Sequence, residues 1–204
     1  MTWALVIAVL AQPAGVFDNA DPFEALGQSG GLALSGRAIA GSPFSEYRVV
    51  TDTPYSVAQL CEHIYEWGTK GTNHPGVKLH KVLTDGADRR VVYDQLEQPV
   101  VANRDYALTV VRERVPEGEC RIRFWVTNDV APAKPDGFVR IEKLWGSWRF
   151  EPLDGGKARL TYTLFADPGG SIPAVLVHGP QKTAARESVV AALSQVKKAL
   201  EAKR

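Results

Sequence analysis

Cys120-Arg121-Ile122-Arg123-Phe124-Trp125-Val126-Thr127 decides how this chain folds. Cys120, Ile122, Phe124 and Val126 fall on one side, and Glu119, Arg121, Arg123 and Thr127 fall on the other. A period of two is that of an extended strand with one face in a core and one in water. Leu160, Tyr162 and Leu164 repeat the pattern opposite Arg159, Thr161 and Thr163. A sheet built from such strands has a bare apolar face, and some other element must cover it.

Working outward, strand-like runs at 77–83, 89–95, 104–115, 120–128, 138–150 and 157–166 have the spacing of an antiparallel meander. Asp85-Gly86, Pro116-Glu117-Gly118, Pro135-Asp136-Gly137 and Asp154-Gly155-Gly156 supply turn chemistry between them. Upstream, runs at 32–39 and 44–52 around Gly41-Ser42-Pro43 predict a hairpin. Residues 16–30 read as a loop with room for one helical turn. Thr53-Pro54 opens a helix of about three turns, whose buried stripe is Val57, Leu60, Cys61, Ile64 and Tyr65. The cover for the sheet lies at the C-terminus. Ser171 can cap a helix carrying Ile172, Val175, Leu176, Val189, Leu193, Val196 and Leu200, which Pro180 should kink or break after His178.

Twenty-four basic residues against 23 acidic ones leave a formal charge of +1, too little for the positive field that neutralises phosphates, so no nucleic-acid partner is expected. From Ser171 onward, however, six basic residues face two acidic ones, a net of +4 that suits transient contact with an anionic membrane surface as well as a plain solvated face. Cys61 and Cys120 stand far apart and are expected to be buried free thiols. Residues 1–15 hold an apolar run at 3–10 without a basic lead, which reads either as an atypical signal peptide or as a packed N-terminal element. Export to a periplasmic or secreted location and a cytoplasmic location both stay open. That run is too short to span a bilayer, where about 20 residues are needed. Residues 16–204 form one domain.

Four segments occur in register on these elements: Gly30-Gly31-Leu32-Ala33-Leu34 with Arg37 and Gly41-Ser42; Gln98-Pro99-Val100-Val101-Ala102-Asn103-Arg104-Asp105-Tyr106; Gly146-Ser147-Trp148; and Asp167-Pro168-Gly169-Gly170-Ser171-Ile172-Pro173. In these the chain resembles the START (steroidogenic acute regulatory-related lipid transfer) domains over about residues 30–200. The resemblance implies an α+β helix-grip fold of the Bet v 1-like kind, a curved antiparallel sheet wrapped around a long C-terminal helix with an internal apolar cavity. It also implies a non-enzymatic role, in which one lipid such as a sterol or phospholipid is held behind a gate formed by that helix, with lipid transfer as the further role such a gate allows. The alternative is a polyketide cyclase or aromatase using the same cavity, with Arg104, Tyr106 and a His or Asp positioning an enolising substrate. No dense set of inward titratable residues is apparent for such acid-base work.

Arg104 shares strand parity with Tyr106 and Leu108 and so points to the apolar side, where a guanidinium needs a partner. Asp94 or Glu97 on the preceding strand could supply it while the remaining donors meet a ligand, or the group forms a structural salt bridge at the strand start. Tyr106, Leu108, Ile122, Phe124, Trp148 and Leu164 are the candidate cavity wall, and Val175, Leu176, Val189 and Leu193 the lid face. Gly146 between Trp145 and Trp148 suggests a bulge. His63, His74, His80 and His178 lack metal-ligand spacing, and no metal or cofactor is expected. Gly27-Gln28-Ser29-Gly30-Gly31 matches the nucleophile-elbow pattern, but a loop precedes it and a strand follows, the wrong context for a catalytic serine.

Overall fold

Ten strands and two long helices make up the computed structural model, which describes residues 16–17, 19–71, 74–97, 101–173 and 176–203. The 1–15 segment, Gln98-Pro99-Val100 and Val175 lie outside the described residues. In chain order the elements are β1 (Glu24–Ser29), β2 (Leu32–Ala38), β3 (Ser45–Thr53), α1 (Val57–Lys70), β4 (Val77–Asp85), β5 (Arg89–Leu96), β6 (Arg104–Arg114), β7 (Cys120–Val126), β8 (Val139–Arg140), β9 (Lys143–Pro152), β10 (Ala158–Asp167) and α2 (His178–Glu201). One curved sheet runs β1-β2-β3-β10-β9-β7-β6-β5-β4, with antiparallel neighbours throughout, and β8 pairs in parallel with the start of β6. The jump from β3 to β4 is made by α1, so the last strand can return beside β3 (Leu160↔Thr51, Tyr162↔Val49).

The alternation holds except at the end of β7, where Trp125 and Thr127 on the expected water side are 4% and 6% exposed. Ile122, Leu160, Phe150, Val49 and Tyr162 are buried in a single inner cluster, with Phe124, Val126 and Leu164 packed against it. From α1 that cluster takes Leu60, Cys61, Ile64 and Tyr65, and from α2 it takes Ala185, Val189, Ala192 and Val196. These α2 positions recur at steps of four and three, one helical stripe laid on the sheet's inner face. Small alanines on that stripe let the helix backbone come close. Among the described residues no helix is long and apolar enough to cross a membrane.

Several expectations need correction. Residues 24–29 form a strand rather than a loop, paired to β2 through a two-residue turn at Gly30 and Gly31, whose φ values of 58° and 77° suit the twist of a hairpin. Every β1 side chain is exposed, so no alternation marks it in the sequence. Ser56, not Thr53, caps α1: Ser56 Oγ accepts from the Gln59 amide (3.3 Å), and Gln59 Oε1 accepts from the Ser56 amide (2.9 Å). Thr53 instead donates its hydroxyl to the Ala158 carbonyl at 3.1 Å. The 138–150 run divides into β8 and β9. The last helix begins at His178, and Ser171 sits in an exposed bend before it. Pro180 therefore falls in the first turn, where an amide N–H has no intrahelical partner to lose, and it neither kinks nor breaks the helix.

Gly146 marks no bulge, because β9 keeps unbroken register with β7 and β10 across it (Phe124↔Gly146, Leu164↔Gly146). A Cβ there would lie 2.4 Å from Phe124 Cζ and 2.4 Å from the Thr163 carbonyl oxygen, so the glycine makes room for the Phe124 ring. Cys61 and Cys120 are not free thiols. They form a disulfide from α1 to the first residue of β7, closing a sequence separation of 59 residues. Helix α1 crosses over the start of β7, a proximity that sequence distance conceals.

Candidate ligand cavity

The inner face leaves two hollows. The smaller, about 180 Å³, lies between α1, the loop holding His74 and Pro75, and β5, β6, β7 and β9. Its wall includes Tyr65, His74, Asp94, Tyr106, Phe124 and Trp148, with Leu108 and Ile122 between them. The larger, about 470 Å³ and strongly apolar, lies between the ends of β5, β6 and β10 and the segment that leads into α2. Arg104, Leu164, Ile172, Leu176 and Val177 are on its wall, and Leu96 lines both hollows.

Asp94, Tyr106, Leu108, Ile122, Phe124 and Trp148 thus come together at one hollow, Arg104 and Leu164 at the other. Of the lid residues, Val189 is fully buried and Leu193 packs against the core, while Leu176 is 65% exposed at the rim of the larger hollow, ahead of the helix rather than on it.

Register explains the polar chemistry. Asp94 on β5 stands opposite His80 on β4 and opposite Tyr106 on β6. His80 Nδ1 is 2.5 Å from Asp94 Oδ1, its Nε2 is 2.9 Å from the Thr69 carbonyl, and the Tyr106 hydroxyl also bonds the Asp94 carboxylate. Burial pulls the His80 pKa down, but the hydrogen bond and charge of Asp94 outweigh it and hold the imidazole above its ordinary value. Burial, with the Asp94 charge beside it, pushes the Tyr106 phenol far up.

The expected pairing of Arg104 with Asp94 or Glu97 does not form. Arg104 stands opposite Leu96, one inward position beyond Asp94, and Glu97 pairs at the surface with Lys78 at 3.1 Å. Arg104 is 4% exposed; Nε donates to the Pro168 carbonyl at 3.2 Å and a terminal nitrogen donates to the Ala102 carbonyl. Among the described residues no carboxylate pairs with it, and burial lowers its pKa with no opposite charge beside it.

Tyr65, His74 and His80 are site residues that the sequence pattern misses. Tyr65 belongs to the apolar stripe of α1 and reads as core. Its ring lies between two guanidiniums, with Arg90 Cζ 4.5 Å and Arg112 Cζ 4.3 Å from the ring centre, and burial pushes its phenol up to about 12. His74 lies in a loop without periodicity, its ring 4.7 Å from the Trp67 ring and 5.0 Å from that of His80. The set also overturns the expectation that titratable groups do not gather inward: Tyr65, His74, Asp94 and Tyr106 share one wall. Ser29 of the elbow-like motif, in contrast, is an exposed residue on the β1–β2 hairpin.

The START domain family model matches residues 37–199, most of the chain and all of the cavity-bearing elements. The chain belongs to the START family. It is similar to an uncharacterized protein of Pseudomonas aeruginosa, 30% identical over 145 residues, covering 69% of this chain and 70% of that one. Among solved structures it is similar to a STAR-related lipid transfer protein fragment from Xanthomonas axonopodis (TM-score 0.77, 24% identity, 87% of this chain and 99% of that one). Human STARD10 shares the fold more distantly (TM-score 0.72, 14% identity, 89% and 75% covered). This START chain therefore carries the helix-grip architecture, α2 gripped against the inner face of the curved sheet.

Proposed function

We propose that this START-family protein is a non-enzymatic lipid carrier, holding one sterol, phospholipid or other amphiphile along the inner face between α1 and the segment entering α2. The observation that carries this is Arg104: a buried guanidinium on the wall of an apolar hollow of about 470 Å³, with carbonyl partners but no carboxylate among the described residues. A polar or acidic lipid group placed against it would complete its coordination. Native mass spectrometry of the purified protein, followed by solvent extraction, tests the reading. One lipid class at about one per chain supports it, whereas a protein that is empty and takes up no sterol, phospholipid or fatty acid would sink it.

Two further parts of the proposal rest on other observations. The Cys61–Cys120 disulfide supports work in an oxidising compartment, since reducing compartments keep such thiols apart. Val101 and Leu176, exposed at 41% and 65% on the rim of the larger hollow, together with the basic excess after Ser171, support transient docking of that rim on an anionic bilayer.

A cyclase-like enzyme is the second reading, favoured by Tyr65, His74, Asp94 and Tyr106 meeting at the smaller hollow. Turnover of a poly-β-ketone thioester by the purified protein would move the assignment to it.

A further inference from the structure

Three polar clusters outside Arg104 invite a ligand. The outer-face hollow of Arg121, Arg123 and Arg149 is already neutralised by Glu119, Glu113 and Glu151. The hollow between Arg37, Tyr47 and His178 is open, and its arginine is paired with Glu46. The inner wall at Tyr65 and His74 differs, because two buried polar atoms there have no partner: Tyr65 Oη and His74 Nε2. Tyr65 is fully buried, and both residues line the hollow of about 180 Å³. A buried hydroxyl or imidazole nitrogen left without a hydrogen bond costs free energy, so it signals either strain or a missing partner.

Protonation fixes what that partner must be. The Tyr65 phenol, pushed up to about 12 by burial, is an O–H donor at neutral pH. Burial lowers the His74 pKa, so its ring is neutral, and the backbone carbonyls of Gly71 and Trp67 accept from it. A carbonyl can only accept, and Nε2 is the unpartnered nitrogen, so we assign the ring proton to Nδ1, which leaves Nε2 a lone pair. In its unpartnered atoms the wall thus offers one donor and one acceptor, beside an Asp94 carboxylate already bonded by His80 and Tyr106. A phosphate or carboxylate would meet the Asp94 charge, while Arg90 and Arg112 beside Tyr65 are already paired with Glu66, Asp85, Glu62 and Asp88. A ketone could accept from Tyr65 but has nothing to give His74. An alcohol does both.

Resting on the carrier reading, we infer that Tyr65 and His74 form a subsite for an uncharged hydroxyl group of the bound lipid, the alcohol accepting from Tyr65 Oη and donating to His74 Nε2. Ligand choice then follows from an alcohol at this end of the inner face as well as from whatever meets Arg104.

Two probe pairs test it on the delipidated full chain, by displacement of a fluorescent lipid. One is hexadecanoic acid against its mid-chain and terminal hydroxy derivatives. The other is cholesterol against its 3-methyl ether, which keeps the acceptor and loses the donor. The hydroxyl-bearing member of at least one pair binds roughly three- to tenfold tighter, the range of one net hydrogen bond. Tyr65→Phe, which keeps the ring between Arg90 and Arg112, and His74→Phe each bring that ratio toward one. Equal affinities within both pairs overturn the subsite and leave the carrier reading standing, and so does a preference that survives both substitutions. A protein that takes up no member of either pair overturns the subsite, and the carrier reading falls with it when phospholipid is refused as well.

Discussion

His80 Nδ1 lies 2.5 Å from Asp94 Oδ1, with both side chains largely buried on adjoining strands of the sheet. The imidazole takes up its proton more readily in the fold than in the unfolded chain, because Asp94 and the Thr69 carbonyl outweigh its burial.

A raised histidine pKa sets the sign of a pH effect. The folded state binds the extra proton, so the stability from this pair is fully present below the unfolded value of about 6.5 and is lost as pH rises through the folded pKa. The stability gap between wild type and His80→Gln should therefore be widest, roughly 1–3 kcal/mol, below about pH 6 and narrow on the alkaline side. Urea unfolding of both proteins across that range measures it, and a gap that grows with pH would contradict the assignment. His74, 5.0 Å away and lowered mainly by burial and in part by the His80 charge, is coupled to this pair, so the comparison is made in a His74→Phe background.

Arg104→Met keeps much of the side-chain volume and removes the charge. Affinity for hexadecanoic acid should fall roughly 10- to 100-fold, the range for hydrogen bonds to a charged group, with the fold retained because no carboxylate partner is stranded. Unchanged affinity in a fluorescence titration would remove Arg104 from the ligand's surroundings.

Gly146→Ala places a methyl 2.4 Å from both the Phe124 ring and the Thr163 carbonyl oxygen. The ring could swing aside, but the carbonyl belongs to β10 and cannot. A loss of roughly 1–3 kcal/mol is expected, read as a lower thermal midpoint, and an unshifted midpoint would mean that the sheet yields there.

Reducing the Cys61–Cys120 bond frees a loop of 59 residues in the unfolded chain. It should cost about 2–4 kcal/mol on chain-entropy grounds, seen as an earlier denaturant midpoint with reductant that Cys61→Ser together with Cys120→Ser reproduces. Coincident midpoints with and without reductant would show that the thiols are not joined in solution.

The strands, both helices and the inward side of each strand are legible in the sequence wherever alternation or helical period is strong, as at Ile122, Phe124, Leu160 and Val189. Local patterns fail where partners come from elsewhere. β1 exposes all its side chains and leaves no period. Bulges in β4 at 77/79 and 82/84 disturb its alternation, so nothing marks His80 as facing Asp94. Strand parity puts Arg104 on the inward side of β6, but its partner depends on register, and the pairing sets it against Leu96 rather than Asp94. Cys61 and Cys120 were separated by sequence and joined by topology.

That covalent link also governs how the molecule can breathe. It fastens α1 to the middle of the sheet at Cys120, so the wall that carries Tyr65 is anchored at one end. On the opposite wall, the described residues 168–173 and 176–177 ahead of α2 form no strand. Any doorway for a guest opens most cheaply on that side, with α1 as the door frame.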